Sequence, residues 1–209
     1  MTMPPAFMEK VLVEIEKYGS TTVNASVQGI VDRNSLDITI GDKPMESIAT
    51  LNQARVYKYS PEDDSEVSFD MYVKDLGTTT NAIDLFFLGV TTVATSGVIS
   101  KSTTTVRDKF RVTILFTNDT TMSDATATVN NGTETTYGAR RYIFADAYIT
   151  SCKPSFTDGI LKVGITCKIP PYDGTGASNI GYQSLDGSTT GSLTALATYT
   201  GTAKGWSVV

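Results

Sequence analysis

The sequence predicts a mainly β protein: an antiparallel β-barrel or sandwich with one short flanking α-helix, extended loops and terminal arms. Three observations point there. Apolar residues recur at every second position in segment after segment, threonine supplies about one residue in six, and only one stretch has helical spacing. At 209 residues the chain is long enough to bury a real core but short for two. The expected layout is one domain over 1–178, which includes an N-terminal arm at 1–6, and a Thr/Gly-rich C-terminal arm over 179–209.

The first strands are read from alternation. Val11, Val13 and Ile15 alternate with Leu12, Glu14 and Glu16; Val23, Ala25, Val27 and Val31 with Asn24, Ser26, Gln28 and Asp32; Leu36, Ile38 and Ile40 with Asp37 and Thr39. Gly41 to Pro44 ends the third strand and opens an excursion through Met45, Glu46, Ile48 and Leu51. Residues 55–59 and 66–73 then read as an antiparallel hairpin whose tip holds Glu62, Asp63 and Asp64. Its second strand turns Val67, Phe69, Met71 and Val73 one way and Glu66, Ser68, Asp70 and Tyr72 the other.

The helix is expected over 81–89. Asn81 can cap it, Gly89 can stop it, and Ile83, Phe86 and Phe87 share a face. A long strand follows over 103–116, where Val106, Phe110, Val112, Ile114 and Phe116 alternate with Arg107, Lys109, Arg111 and Thr113. Residues 118–138 read as a polar loop. A last hairpin joins 140–152 to 160–169 through Asp158 and Gly159, and Pro170 and Pro171 end it because proline offers no ladder donor. A two-residue turn sets Cys152 opposite Ile165 and Cys167 opposite Thr150, so the two thiols lie diagonally; they are expected reduced, and a bridge between them would need a bulge, which Pro154 could mark.

Composition excludes much chemistry. Histidine is absent, which removes the usual general base, the usual catalytic triads and most zinc sites. A net charge of -5 gives a phosphate backbone no overall attraction. The carboxylates Glu62, Asp63, Asp64 and Glu66 lack calcium-loop spacing and read as a solvated turn. Gly174 and Gly176 precede no helix and no phosphate-binding lysine. No enzyme, cofactor, metal or membrane span is expected. The N-terminal residues lack a basic, apolar leader pattern, so assembly is expected in the cytoplasm. Arg107, Lys109 and Arg111 form a basic stripe, read either as a solvated face or as a contact to acidic faces of a neighbouring subunit.

Three places resemble the tail tube proteins of tailed bacterial and archaeal viruses: 66–73 after its acidic turn, the helix at 81–89 after 73–77, and the hairpin from 146–152 through 158–163. The resemblance implies a self-assembling virion protein, six copies closing into a ring and rings stacking into the tube that delivers viral DNA. It implies partners in itself and in other tail proteins (terminator, tape measure, baseplate or tip, sheath), with DNA passing unbound. Carried onto this chain, Asp32, Asp37, Glu66 and Asp70 are candidate lumen residues. Met45, Glu46, Ile48 and Leu51 are candidates for the contact between rings, with the two terminal arms. The alternative is a surface-exposed adhesin, surface-layer or virion-decorating β protein, for which the threonine content and the acceptor patterns at Asn24, Asn118 and Asn131 are natural.

Overall fold

The computed structural model describes residues 10–19, 26–32, 34–51, 54–72, 108–118, 129–130, 138–157, 159–186, 193–200 and 204–206. The expected helix at 81–89 and Arg107 lie outside them. Ten strands run through the described residues: β1 Lys10–Lys17, β2 Ser26–Ile30, β3 Asp37–Thr39, β4 Met45–Ala49, β5 Arg55–Tyr59, β6 Ser65–Tyr72, β7 Phe110–Thr117, β8 Gly138–Thr157, β9 Ile160–Ile169 and β10 Ile180–Asp186.

The main sheet has the order β2-β1-β7-β8-β9-β6-β3, with β10 also on β8, and every pairing is antiparallel. The twenty-residue β8 bends it into two layers. Its first half pairs β7 and β10; its second half pairs β9. Two bulges make the bend. Between Phe110 and Val112 of β7 the partner advances three residues, from Ala147 to Phe144, and Asp146 within that span has φ 51°. Between Ile149 and Ser151 the β9 partner advances only one, leaving Thr150 extra. After β2 the chain crosses to the other layer, where Val31 bridges Met71 and the Asp32 amide donates to the Asp70 carbonyl at 2.9 Å. The two layers therefore close around one interior.

That interior follows the alternation. Val13 and Ile15, Val67, Phe69 and Met71, Val112 and Ile114, Phe144, and Val163, Ile165 and Ile169 meet in one cluster, all buried. Each such side chain contributes about 1.5–3 kcal/mol on leaving water. Gly159 takes the left-handed conformation at the β8–β9 turn with φ 79°. Cys152 lies opposite Ile165 as the turn dictates, but the Thr150 bulge moves Cys167 opposite Ile149. Neither cysteine is in a disulfide.

Two expectations need correction. Residues 55–59 do not pair with 66–73: β5 pairs β4, and β6 pairs β3 and β9. The segment expected to trail away from Asn179 also adds to the fold. β10 joins the main sheet, and Leu193, Leu196 and Tyr199 beyond it are buried.

Candidate assembly surfaces

The first surface is a projecting arm. β3 and β6 begin a hairpin, Asp37 opposite Ser68 and Thr39 opposite Glu66, that continues past both strands. The Asp63 amide donates to Asp42 O at 2.9 Å and the Ser60 amide to Pro44 O at 3.1 Å. The ladder resumes as β4 and β5, from Met45 opposite Tyr59 to Ala49 opposite Arg55. Between Asp42 and Pro44 one side advances two residues while the other advances three, a slip that re-aims the outer half. Gly41 permits the narrow base, since a Cβ there would stand 1.9 Å from the Asp63 carbonyl oxygen.

Every residue of β4 and β5 is exposed. Met45, Tyr57 and Tyr59 share one face; Glu46, Ile48, Val56 and Lys58 share the other; Leu51 stands fully in solvent at the tip. The four residues expected to reach between rings, Met45, Glu46, Ile48 and Leu51, all lie on this arm.

The second surface is the outer face of β3, β6 and β9. Asp37, Glu66 and Asp70 share it, because Asp37 is opposite Ser68, which stands two residues from both Glu66 and Asp70 and so on their side of the strand. Lysines interleave: Lys168 stands opposite Glu66, and Lys162 donates to Asp32 Oδ2 at 2.5 Å. The lysine hydrogen bond holds the Asp32 carboxyl below its usual value, and the carboxylate in turn raises Lys162. The four acidic candidates thus occupy one neighbourhood, with a cation beside two of them.

The opposite face, over β1, β7 and β8, carries buried charge. Glu16 faces Arg111, Glu14 faces Thr113, and Leu115 has Leu12 on one side and Arg141 on the other. A strap made of residues 193–200 and 204–206 covers them. Arg111 donates to Glu16 Oε2, to Ala197 O at 2.8 Å and to Lys204 O at 2.9 Å. Arg141 donates to Thr194 O, to Val129 O at 3.1 Å and to Gln183 Oε1 at 2.7 Å. The two arginines are 1% and 0% exposed. Arg111, expected on a solvated or subunit-facing stripe, is therefore enclosed by its own chain, while Lys109 remains part-exposed on Asp146 Oδ2 at 2.9 Å.

Tyr199 anchors the strap. Its amide donates to Glu16 Oε1 at 2.9 Å, its ring stands edge-on to Tyr18 at 5.1 Å, and its hydroxyl bonds Asp146. Burial, then that carboxylate, push the Tyr199 phenol well above its usual value. Burial, then the Arg111 charge, lower Arg141 to about 10, which leaves it charged near neutrality. At Gly205, with φ 90°, a Cβ would meet Arg111 Nη1 at 1.9 Å, so only glycine lets the strap lie so close. The sequence signal for this cover was Leu12 and Leu115, apolar residues out of phase on a polar face, which pack with Val129, Ala139 and Leu193.

Among the described residues no group of three Cys, Asp or Glu side chains is placed to hold a metal ion, and no helix is long and apolar enough to cross a membrane. No family model and no curated protein matches the chain. Several solved structures are similar over most of its length, among them these three. A chain of the anti-feeding prophage baseplate, 6-fold symmetrised, shares 10% identity over 90% of this chain and 100% of its own, with a TM-score of 0.49. A chain of the anti-feeding prophage tube-terminating cap shares 12% over 88% and 95%, at 0.48. A chain of an extracellular contractile injection system, the PVC sheath/tube terminator in its extended state, shares 13% over 86% and 97%, at 0.45. Identities and TM-scores this low do not define a family.

Proposed function

We propose that this chain is a structural protein that assembles with copies of itself into rings, and that the rings stack into a tail tube for viral DNA. The observation that carries the reading is the arm. A two-stranded hairpin bare on both faces is marginal in water, and this one adds a run of exposed apolar side chains. It gains cover when it lies against a second copy. Repeated head-to-tail, such a contact makes rings or stacks, and the arm is the natural reach between one ring and the next.

The acidic face supplies the lumen in this reading. Asp37, Glu66 and Asp70 would repel a passing polyanion and keep it from sticking. The resemblance at 66–73 and at the β8–β9 hairpin supports the same assignment. The low-scoring structural likenesses add nothing to it.

The test is sedimentation of the purified protein beside Leu51→Asp and Ile48→Asp. Both positions are exposed, so the variants keep the wild-type melting temperature and lose the fast-sedimenting assemblies. Undiminished assembly in both variants would remove the arm from the contact. A wild-type chain that stays monomeric favours the virion-decorating reading.

A further inference from the structure

The strap and the arm lie on different parts of the chain, and one loop joins them. Lys204 of the strap places its ammonium 2.9 Å from Asp173 Oδ2, 2.7 Å from Ala177 O and 2.6 Å from Ser178 O. Asp173 organises the same loop from within. Its Oδ1 accepts from the Thr175 amide at 2.8 Å, the Thr175 hydroxyl at 2.7 Å and the Ala177 amide at 3.0 Å. The loop closes through a bridge between Ser178 and Tyr172. Tyr172 donates its hydroxyl to Glu62 Oε2 at 2.9 Å, and Lys43 stands 3.9 Å from the same oxygen. Lys43 and Glu62 are on the two sides of the arm's base, next to Pro44 and Asp63.

The loop is also tied to the barrel. Pro170 and Pro171 have no amide hydrogen, so their carbonyls do the tying: Asn179 Nδ2 donates to Pro170 O and the Asn179 amide to Pro171 O, each at 2.9 Å. Asn179 O accepts from the Ala145 amide at 2.8 Å. The near end of the loop is fixed, and Lys204 is the strap's contact with its outer turn, which the Asp173 amide also braces on Ala177 O at 2.9 Å.

We infer that docking of the C-terminal strap regulates the arm: Lys204 orders the 172–178 turn, and Tyr172 passes that order to Glu62 and the arm's base. The inference rests on reading the arm as the assembly contact. Without the ammonium, two carbonyls and a carboxylate converge on no cation, and their repulsion opens the turn. Tyr172 then loses its fixed position and Glu62 loses its donor. A chain with an undocked strap carries a loose arm, which must lose more conformational freedom to bind and so binds more weakly. A coupling of this kind is established by a cycle of single and double variants.

The experiment is amide hydrogen exchange on dilute monomer, for the wild type, Lys204→Met, Lys204→Arg, Tyr172→Phe and the double variant Lys204→Met/Tyr172→Phe. Trp206 is the only tryptophan and sits against Gly181, 3.3 Å from where a Cβ would stand, so its fluorescence reports strap seating. Lys204→Met raises exchange at 172–178 and at 45–59 by roughly five- to tenfold, and Lys204→Arg restores most of the protection. Tyr172→Phe loosens 45–59 with Trp206 emission unchanged, and the double variant exchanges no faster at 45–59 than Lys204→Met alone. Exchange that rises at 172–178 in Lys204→Met while 45–59 stays at the wild-type rate overturns the coupling, as does an arm unaltered in Tyr172→Phe. Both readouts are taken on monomer. Coupled exchange in a chain that never assembles counts against the assembly reading and leaves the coupling standing.

Discussion

Asp146 and Tyr199 hold each other twice: the Tyr199 hydroxyl donates to Asp146 Oδ1, and the Asp146 amide donates to the Tyr199 oxygen at 2.9 Å. The pair sits at the bulge where β8 turns from one layer to the other, and Asp146 is the one non-glycine described residue with positive φ. An aspartate tolerates that conformation better than most side chains, and the phenol occupies the amide that the bulge leaves unpaired. The strap thereby fastens the bend of the barrel.

Tyr199→Phe removes both bonds and keeps the ring. It leaves a buried amide and a carboxylate oxygen without their partner, at a cost of about 1–3 kcal/mol. Urea unfolding followed by circular dichroism measures this, and an unchanged midpoint would mean that the strap contributes nothing to the bend.

Glu16→Gln is expected to be the more damaging change. Arg111 is 1% exposed and Glu16 is its carboxylate partner, so the variant leaves a buried guanidinium uncompensated, at about 3–5 kcal/mol. The unfolding midpoint falls accordingly. Trp206 emission shifts to the red, because Arg111 also carries the Ala197 and Lys204 carbonyls of the strap.

Gly41→Ala separates the arm from the barrel. The new Cβ would meet a backbone oxygen at 1.9 Å, which no rotamer can relieve, so the arm's base must part. The core cluster lies elsewhere, so the melting temperature falls little while assembly by light scattering is lost. Assembly at the wild-type concentration would mean that the arm's direction is irrelevant to the contact.

Cys167 tests the interior by pH. Burial pushes its thiol up to about 12 from a starting value of 9.0, so the folded protein holds a proton that the unfolded chain releases. This contribution to stability is complete below about pH 9 and is lost as pH rises toward 12. In native protein at pH 8 a thiol reagent labels at most Cys152, which is part-exposed; Cys167 reacts only on unfolding. Rapid labelling of two thiols in the folded state would contradict the closed interior.

Much of this architecture could be read from alternation, and the failures have physical reasons. β1, β6, β7 and β9 declared themselves because one side of each faces the core, and the short connection from Thr157 to Ile160 sets Cys152 opposite Ile165. Alternation identifies strands but not their partners: the turn residues 60–64 suggest a β5–β6 hairpin, whereas β5 pairs β4. Period two also cannot tell a solvated polar face from a covered one. Glu14, Glu16 and Arg111 looked like surface because the strap that buries them comes more than eighty residues after Arg111, in a Thr/Gly-rich stretch with little pattern of its own. The resemblance points to the arm residues, but alternation carries no sign that β4 and β5 stand exposed on both faces.

Negative-stain microscopy of the purified protein across a concentration series tests self-assembly most directly. The expected result is annular particles that give way to hollow tubes as concentration rises, with neither formed by Gly41→Ala. Dispersed single particles at every salt and protein concentration, with no annuli, would contradict the assignment.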